Sequence, residues 1–191
     1  MKGNMGNGEH VCFSSGKDDW RTPQKLFDDL DTEFHFGLDA AADANNSKCG
    51  NFYCDKLGDA LSINWKQHSQ GLPIWVNPPY TNNRKFVEKA YTESVNGAIV
   101  VCLIPSRTDT IWWHEYIMKS YEIRFLRGRL YFDDAIWPAP FPSCIVVFKQ
   151  HHGMFPIISA IDARKYRNYT NDKVQRELDI AKPAANRTGI L

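Results

Sequence analysis

"IWVNPPYTNNRKF", residues 74–86, begins as an apolar run and then meets two consecutive prolines followed by an aromatic residue. The apolar run predicts a buried β-strand over residues 72–76. Each proline fixes its φ angle near −65°, so the chain that leaves this strand is rigid. A stiff polar corner therefore follows the strand, and it is the first candidate functional site: Asn77, Pro78, Pro79 and Tyr80.

The side chains of this corner suit a flat base that carries an exocyclic amine. The lone pair of such an amine is delocalised into the ring, and two acceptors, one for each N–H, favour a pyramidal and more nucleophilic nitrogen. The side-chain oxygen of Asn77 and the carbonyl of Pro78 can be these acceptors. Tyr80 supplies a face for stacking, worth about 1–3 kcal/mol per base. The alternative is that Pro-Pro only forms a turn after a strand.

Strand and helix patterns alternate on both sides of the corner. Helical spacing of apolar residues predicts helices within residues 21–34, 83–95 and 108–120, with Thr22 capping the first and Thr108 or Asp109 the third. Apolar runs predict strands over residues 34–39, 51–54, 72–76, 98–104, 121–126 and 143–148. We expect residues 98–104 to form a central parallel strand that is buried on both faces. The alternation predicts an α/β fold that binds ligands at the carboxyl ends of its strands.

Length and composition limit the function classes. A chain of 191 residues with 43% apolar content predicts one folded domain over residues 18–162, between a flexible arm (1–17) and a basic tail (163–191). No apolar stretch reaches the roughly 18 residues of a membrane span, and the first ten residues lack a signal-peptide core, so we expect a cytoplasmic protein. The net charge of +1 requires any nucleic-acid partner to be held by a local patch.

The cysteines favour neither disulfides nor a metal site. They are five in number and irregularly spaced, which is typical of reduced thiols. Cys49 and Cys54 are not accompanied by a second Cys or His pair at zinc-like spacing, so we expect no structural metal.

The corner and several other blocks together resemble a known family. An [Asp/Asn/Ser]-Pro-Pro-[Tyr/Phe/Trp] tetrapeptide resembles motif IV of the amino-methyltransferases that use S-adenosylmethionine. Over roughly residues 20–148, the sequence resembles the phage-type DNA N6-adenine methyltransferases, or phage Dam family. The blocks that carry this resemblance are DWRTP (19–23), FGLDAAAD (36–43), NFYCDKLGDAL (51–61), WVNPPY (75–80), LIPSRTDTIWWH (103–114), RFLRGRLYF (124–132) and APFPSCIVVF (139–148).

The resemblance implies a class I, Rossmann-like methyltransferase fold. Such a fold is a single compact domain with a mostly parallel central sheet and helices on both faces. The implied reaction moves a methyl group from S-adenosylmethionine to the exocyclic amine of an adenine that has been flipped out of double-stranded DNA. It also implies that the corner carries the catalysis, through Asn77, Pro78, Pro79 and Tyr80.

The same resemblance assigns residues to the cofactor. The strand-end acid of motif I corresponds to Asp39, with Ala40 and Ala41 allowing a close approach to the backbone, although LDAAAD lacks the usual G-x-G. Thr22 and Pro23 resemble a Thr-Pro motif that helps to hold the methionine carboxylate, and a helix N-terminus suits an anion. GDAL resembles motif III and indicates Asp59, with Asp55 as the competing acid. Trp20 packs either on the cofactor or in the core.

Arg127 and Arg129 stand beside Tyr131 and Phe132, and arginines with aromatic residues are typical of a nucleic-acid surface, which favours both as DNA contacts. The alternative is a basic strand edge with buried aromatic residues. Arg107, which follows the strand predicted over residues 98–104, is a candidate phosphate contact. Two other functions stay open: the same fold acting on cytosine N4, an RNA base or a protein glutamine, and a non-catalytic DNA-binding relic of the fold. The recognition sequence and the oligomeric state do not follow from these patterns.

Overall fold

The computed structural model describes residues 20–53, 59–133, 135 and 137–167; the predicted arm and most of the predicted tail lie outside these ranges. Helices α1 to α5 span Gln24–Phe34, Asp59–Ser62, Trp65–His68, Asn83–Val95 and Ile111–Glu115. Strands β1 to β6 span Leu38–Asp39, Ile74–Val76, Val100–Pro105, Glu122–Arg127, Ser143–Phe148 and Ile157–Asp162.

The strands of the described chain form one mixed sheet in the order β1-β2-β3-β5-β4-β6. β1, β2 and β3 are mutually parallel, β5 runs antiparallel to both of its neighbours, and β6 is parallel to β4. β5 is therefore the single reversed strand of this sheet. The other five strands all end at the same edge, which we call the carboxyl edge. This arrangement confirms the expected α/β fold with a mostly parallel sheet.

Side-chain alternation along the central strands produces two core layers. Trp75 and Val101 point to the face that α1 covers with its buried Leu26, Phe27 and Leu30. Their neighbours Ile74 and Val100 point to the opposite face, which α4 covers with Phe86, Val87 and Ala90. All six residues of β3 are buried, as predicted, although β5 beside it is antiparallel. Helices thus lie on both faces of the sheet.

The first predicted helix begins one residue later than expected, at Gln24 and not at Pro23. Pro23 is the N-cap residue, with an extended ψ of 128°, and its carbonyl accepts hydrogen bonds from the N–H groups of Leu26 and Phe27. The prediction that Thr22 caps α1 was therefore wrong, because the bend into the helix falls at the proline itself. β1 is also short: only Leu38 and Asp39 belong to it.

Two other predicted elements were only partly correct. The expected strand over residues 51–54 is reduced, in the described part, to one parallel bridge between Asp39 and Phe52. The expected helix over residues 108–120 begins with Thr110 as N-cap, so neither Thr108 nor Asp109 caps it. It then gives way to the 3₁₀ helix Ile117–Lys119.

β6 was not predicted from the sequence. Its exposure does not alternate, since Ile157 and Ile158 are both exposed, and its order comes from pairing with β4. The 3₁₀ helix Ala163–Tyr166 follows, and its two end residues are buried in the core. None of the helices in the described ranges combines the length and apolar character that a membrane crossing requires.

Candidate active site at the carboxyl edge

Asp39, the last residue of β1, is a buried acid at the carboxyl edge. Its side chain is 3% exposed. Its carboxylate accepts hydrogen bonds from the N–H groups of Ala41 (3.3 Å) and Lys48 (3.0 Å). Burial raises the pKa of Asp39 to about 6, against the lowering effect of these two N–H groups. The group is thus mostly ionised at neutral pH, and it is an acceptor held inside the protein.

Hydrogen bonds from their backbone N–H groups position the two alanines that follow Asp39. Ala40 is fully buried, and its N–H donates to the carbonyl of Trp75 at 3.0 Å, which ties the end of β1 to β2. Ala41 is half-buried and donates to Asp39. These contacts bring small residues to the carboxyl edge, as predicted for motif I, whereas their contact with a cofactor stays a prediction.

Asn77 follows β2, the strand next to Asp39, at the same edge of the sheet. Asp39 pairs with Trp75, so Asn77 stands two residues beyond that partner on the adjacent strand, about 4.8 Å away sideways. Its side-chain Nδ2 donates to the carbonyl of Trp20. Because only the NH₂ end of the amide can donate, this bond fixes which way the amide points. Its Oδ1 is buried, and no group in the described residues hydrogen-bonds to it.

The rest of the corner is braced by short-range hydrogen bonds. The carbonyl of Pro79 accepts from the N–H of Asn82 at 2.8 Å, and Asn83 Nδ2 donates to the carbonyl of Tyr80 at 3.0 Å. Pro78 is buried behind them. The hydroxyl of Tyr80 is buried without a hydrogen-bond partner among the described residues, and burial raises the pKa of this phenol well above its ordinary value. Tyr80 therefore stays protonated.

An aromatic cluster surrounds Tyr80, and sequence reasoning only partly anticipated it. The indole of Trp20 lies nearly parallel to the phenol ring, at 18° and 6.2 Å between centroids. Phe141 and Phe132 meet the phenol ring edge-on, at 5.0 and 6.3 Å. Trp20 therefore packs against the corner formed by residues 77–80. The sequence did not indicate that Phe141, which lies in the block APFPSCIVVF, belongs to this cluster.

Thr22 and Pro23 lie where α1 meets the carboxyl edge. Both are buried, and the helix begins immediately after them. Lys48 connects this helix start to the Asp39 loop, since Lys48 Nζ is 2.8 Å from Gln24 Oε1. Lys48 thus links the first turn of α1 to the loop that holds Asp39. Free N–H groups at the start of a helix suit an anion.

The acid assigned to motif III is only partly described. Asp59 is the first residue of α2, and the structure does not describe its side chain. The competing Asp55 lies outside the described residues. The choice between them therefore stays a prediction.

The three arginines predicted to contact DNA are exposed and share the carboxyl edge. Arg107 follows β3, whereas Arg127 and Arg129 flank Gly128, which turns the chain after β4 with a φ of 95°. Arg127 is 72% exposed and is 3.0 Å from the carboxylate of Asp162. Hydrogen bonds from Arg164, and then from Arg127, hold the pKa of Asp162 below its ordinary value. The three arginines thus make this part of the carboxyl edge positively charged, and Asp162 partly neutralises the charge of Arg127.

A separate cleft of about 650 Å³ lies at the opposite edge of the sheet. It is bounded by the end of α4 and by the residues that follow β5, and none of the predicted site residues lines it. Within the described ranges, no group of three or more His, Cys, Asp or Glu side chains could hold a metal ion. The predicted residues that the structure brings together are those of the carboxyl edge.

Comparisons with known proteins show which sequences this chain resembles. A family model described as DNA N-6-adenine-methyltransferase (Dam) matches residues 11–170. The chain is 29% identical over 115 residues to the DNA N-6-adenine-methyltransferase of Escherichia phage T1, a match that covers 60% of this chain and 47% of that protein. It is 33% identical over 115 residues to the DNA N-6-adenine-methyltransferase of Haemophilus phage HP1, covering 59% and 64%. The matched region thus spans about half of the length of the first relative and slightly less than two thirds of the length of the second.

Proposed function

Since the chain belongs to the DNA N-6-adenine-methyltransferase (Dam) family, we propose that it transfers a methyl group from S-adenosylmethionine to the exocyclic amine of adenine in double-stranded DNA. The observation that carries the proposal is the buried oxygen of Asn77, which has no partner among the described residues. An unsatisfied buried acceptor costs about 1–3 kcal/mol, so its retention at a strand end favours a ligand that brings the missing donor.

The adenine amine is a donor of the required kind. The bond from Asn77 to the Trp20 carbonyl leaves Oδ1 as the end of the amide that can accept. One N–H of the amine would be held by this oxygen and the other by the carbonyl of Pro78. Two fixed acceptors draw the nitrogen toward a pyramidal form and direct its lone pair, and they need no reorganisation during the reaction. The two prolines keep the second acceptor from moving.

The residues of the cofactor side fit S-adenosylmethionine. Asp39 offers a buried carboxylate to the hydroxyl or N–H groups of the cofactor, and the start of α1 after Thr22 and Pro23 offers free N–H groups to its carboxylate. The small side chains of Ala40 and Ala41 would allow the cofactor to approach the backbone closely, and Asp59 would accept from the adenine of the cofactor. The cofactor supplies a methyl group that its sulfonium already activates. No strong base is therefore required of the protein, and the amine proton can leave to water.

The DNA side of the proposal rests on stacking and charge. An adenine inside a duplex cannot reach Asn77, so it must be flipped out, at a cost of a few kcal/mol. Stacking on Tyr80 and the two hydrogen bonds to the amine offset this cost. Exposed Arg107, Arg127 and Arg129 lie on the same edge and would contact phosphates, which position a duplex without specifying its sequence.

The proposal is tested by incubating unmethylated duplex DNA with the protein and S-adenosylmethionine, followed by mass spectrometry of the released nucleosides. We expect N6-methyladenine from the wild type and almost none from Asn77→Ala. N4-methylcytosine would mean that the site acts on the other exocyclic amine of DNA. Binding of DNA without any methyl transfer would indicate a non-catalytic relic, and either result would refute the proposed reaction.

A further inference from the structure

Lys48 connects three segments of the carboxyl edge that are distant in sequence. Its backbone N–H donates to Asp39 Oδ2 at 3.0 Å. Its ammonium lies 2.8 Å from Gln24 Oε1, at the start of α1, and 3.3 Å from Asp133 Oδ2, in the loop after β4. The side chain of Lys48 is only 12% exposed, whereas that of Asp133 is 34% exposed.

Each segment that Lys48 reaches carries a different part of the site. The loop after β1 is anchored to Asp39, and the start of α1 follows the Thr22-Pro23 motif. The loop after β4 contains Phe132 of the aromatic cluster, and its Asp133 N–H donates to the carbonyl of Arg21 at 2.9 Å. Arg21 adjoins Trp20, whose carbonyl orients Asn77. One ammonium thus connects the cofactor side to the base side.

We propose that Lys48 is a positioning residue, which sets the distance between the bound methyl donor and the base held by Asn77 and Tyr80. This inference rests on the proposed function. Methyl transfer needs the sulfonium, the methyl carbon and the amine in line, and a misplacement of about 1 Å can cost roughly a hundredfold in rate. Lysine suits the task because its ammonium is a compact charge with several donors, which can serve an amide oxygen and a carboxylate together.

Substitution of Lys48 tests the side chain alone, because the backbone bond to Asp39 survives any replacement. Lys48→Met keeps the length of the stem and removes the charge, Lys48→Arg keeps the charge, and Lys25→Met is the matched control on the exposed face of α1. We expect Lys48→Met to lower kcat/KM roughly 10- to 100-fold, through both a higher KM for S-adenosylmethionine and a lower kcat. Lys48→Arg should recover most of this loss, and Lys25→Met should match the wild type.

Two further measurements separate positioning from simple stability. In the cofactor-free protein, the backbone amide hydrogen of Asp133 should exchange with solvent about tenfold faster in Lys48→Met than in Lys25→Met, because the loop after β4 loses its ion pair with Lys48. The double variant Lys48→Met with Asp133→Asn should be no slower than Lys48→Met alone, because both changes break one interaction.

The outcomes distinguish this inference from the proposed function. If the wild type methylates adenine but Lys48→Met keeps kcat and KM within about twofold, or loses only thermal stability, Lys48 is structural and the inference fails. If the wild type transfers no methyl group to DNA adenine, the proposed function fails first, and the role of Lys48 in that reaction fails with it.

Discussion

Replacing Asp39 with Asn should change how the stability of the folded chain depends on pH. Asp39 is almost fully buried, and its pKa is raised to about 6, chiefly by burial. In the unfolded chain, an aspartate titrates near 3.9. Between about pH 4 and pH 6, the folded protein therefore holds a proton that the unfolded chain has released. Stability must then fall as the pH rises through this window, and the loss is complete above the folded pKa.

The size of the effect follows from the difference between the two pKa values. About two pKa units, at 1.36 kcal/mol each, correspond to a loss of about 3 kcal/mol in unfolding free energy for the wild type between pH 4 and pH 7. Asn has nearly the same shape but does not ionise. It also presents an NH₂ group to one of the two N–H donors, from Ala41 and Lys48, which lowers its stability by a similar amount at every pH.

The assay is urea unfolding of the cofactor-free protein at several pH values from 4 to 8. The quantity to compare is the unfolding free energy of Asp39→Asn minus that of the wild type, because other carboxylates titrate equally in both proteins and cancel. We expect this difference to rise by about 3 kcal/mol from pH 4 to pH 7. Asp109→Asn, which removes an exposed carboxylate, is the matched control. A difference that stays flat across this range would refute the claim that Asp39 is a buried, destabilising acid.

Three further predictions concern the base side and the DNA. Asn77→Ala should lower kcat at least about a hundredfold in a methyl-transfer assay, as expected for one preorganised hydrogen bond, and near-full turnover would exclude the proposed acceptor. Tyr80→Ala should cause a loss of similar size. Tyr80→Phe removes only the hydroxyl, which has no hydrogen-bond partner among the described residues, so this variant should keep most of its activity and should not have a lower melting temperature. Arg129→Ala should weaken DNA binding equally for all sequences and reduce the slope of log K against log salt by about 0.9, and an unchanged slope would place Arg129 away from phosphate.

The elements that were predicted well from the sequence are those whose own residues indicate whether they are buried or exposed. β3 is a run of β-branched and apolar residues, which only a strand buried on both faces accommodates. α4 spans Asn83–Val95, as its helical spacing predicted. Asp39 and Asn77 could be placed together because parallel strands end at one edge, so the order of the chain was sufficient. For β3 and α4 the pattern lies within one segment, and for Asp39 and Asn77 only the order of the strands is needed.

What could not be predicted depends on contacts between distant segments. β6 has no apolar alternation, and its order comes from pairing with β4. Phe141 meets Tyr80 only because the loop before β5 reaches the carboxyl edge. Lys48 carried no signal at all, since a lysine in a polar loop is usually solvated, and its partners lie 24 and 85 residues away. Such contacts belong to the assembled fold and leave no periodicity in the chain.

The carboxyl edge keeps polar groups in states that oppose folding. Asp39 is mostly ionised and buried at neutral pH, and the oxygen of Asn77 and the hydroxyl of Tyr80 are buried without partners among the described residues. A buried oxygen without a hydrogen-bond partner lowers stability by about 1–3 kcal/mol until a donor reaches it. A ligand that donates to these oxygens recovers that free energy on binding, and it then stabilises the folded state through mass action. We therefore expect a ligand that donates to the Asn77 oxygen to bind more tightly to the wild type than to Asn77→Ala, because it supplies the partner that this buried oxygen lacks.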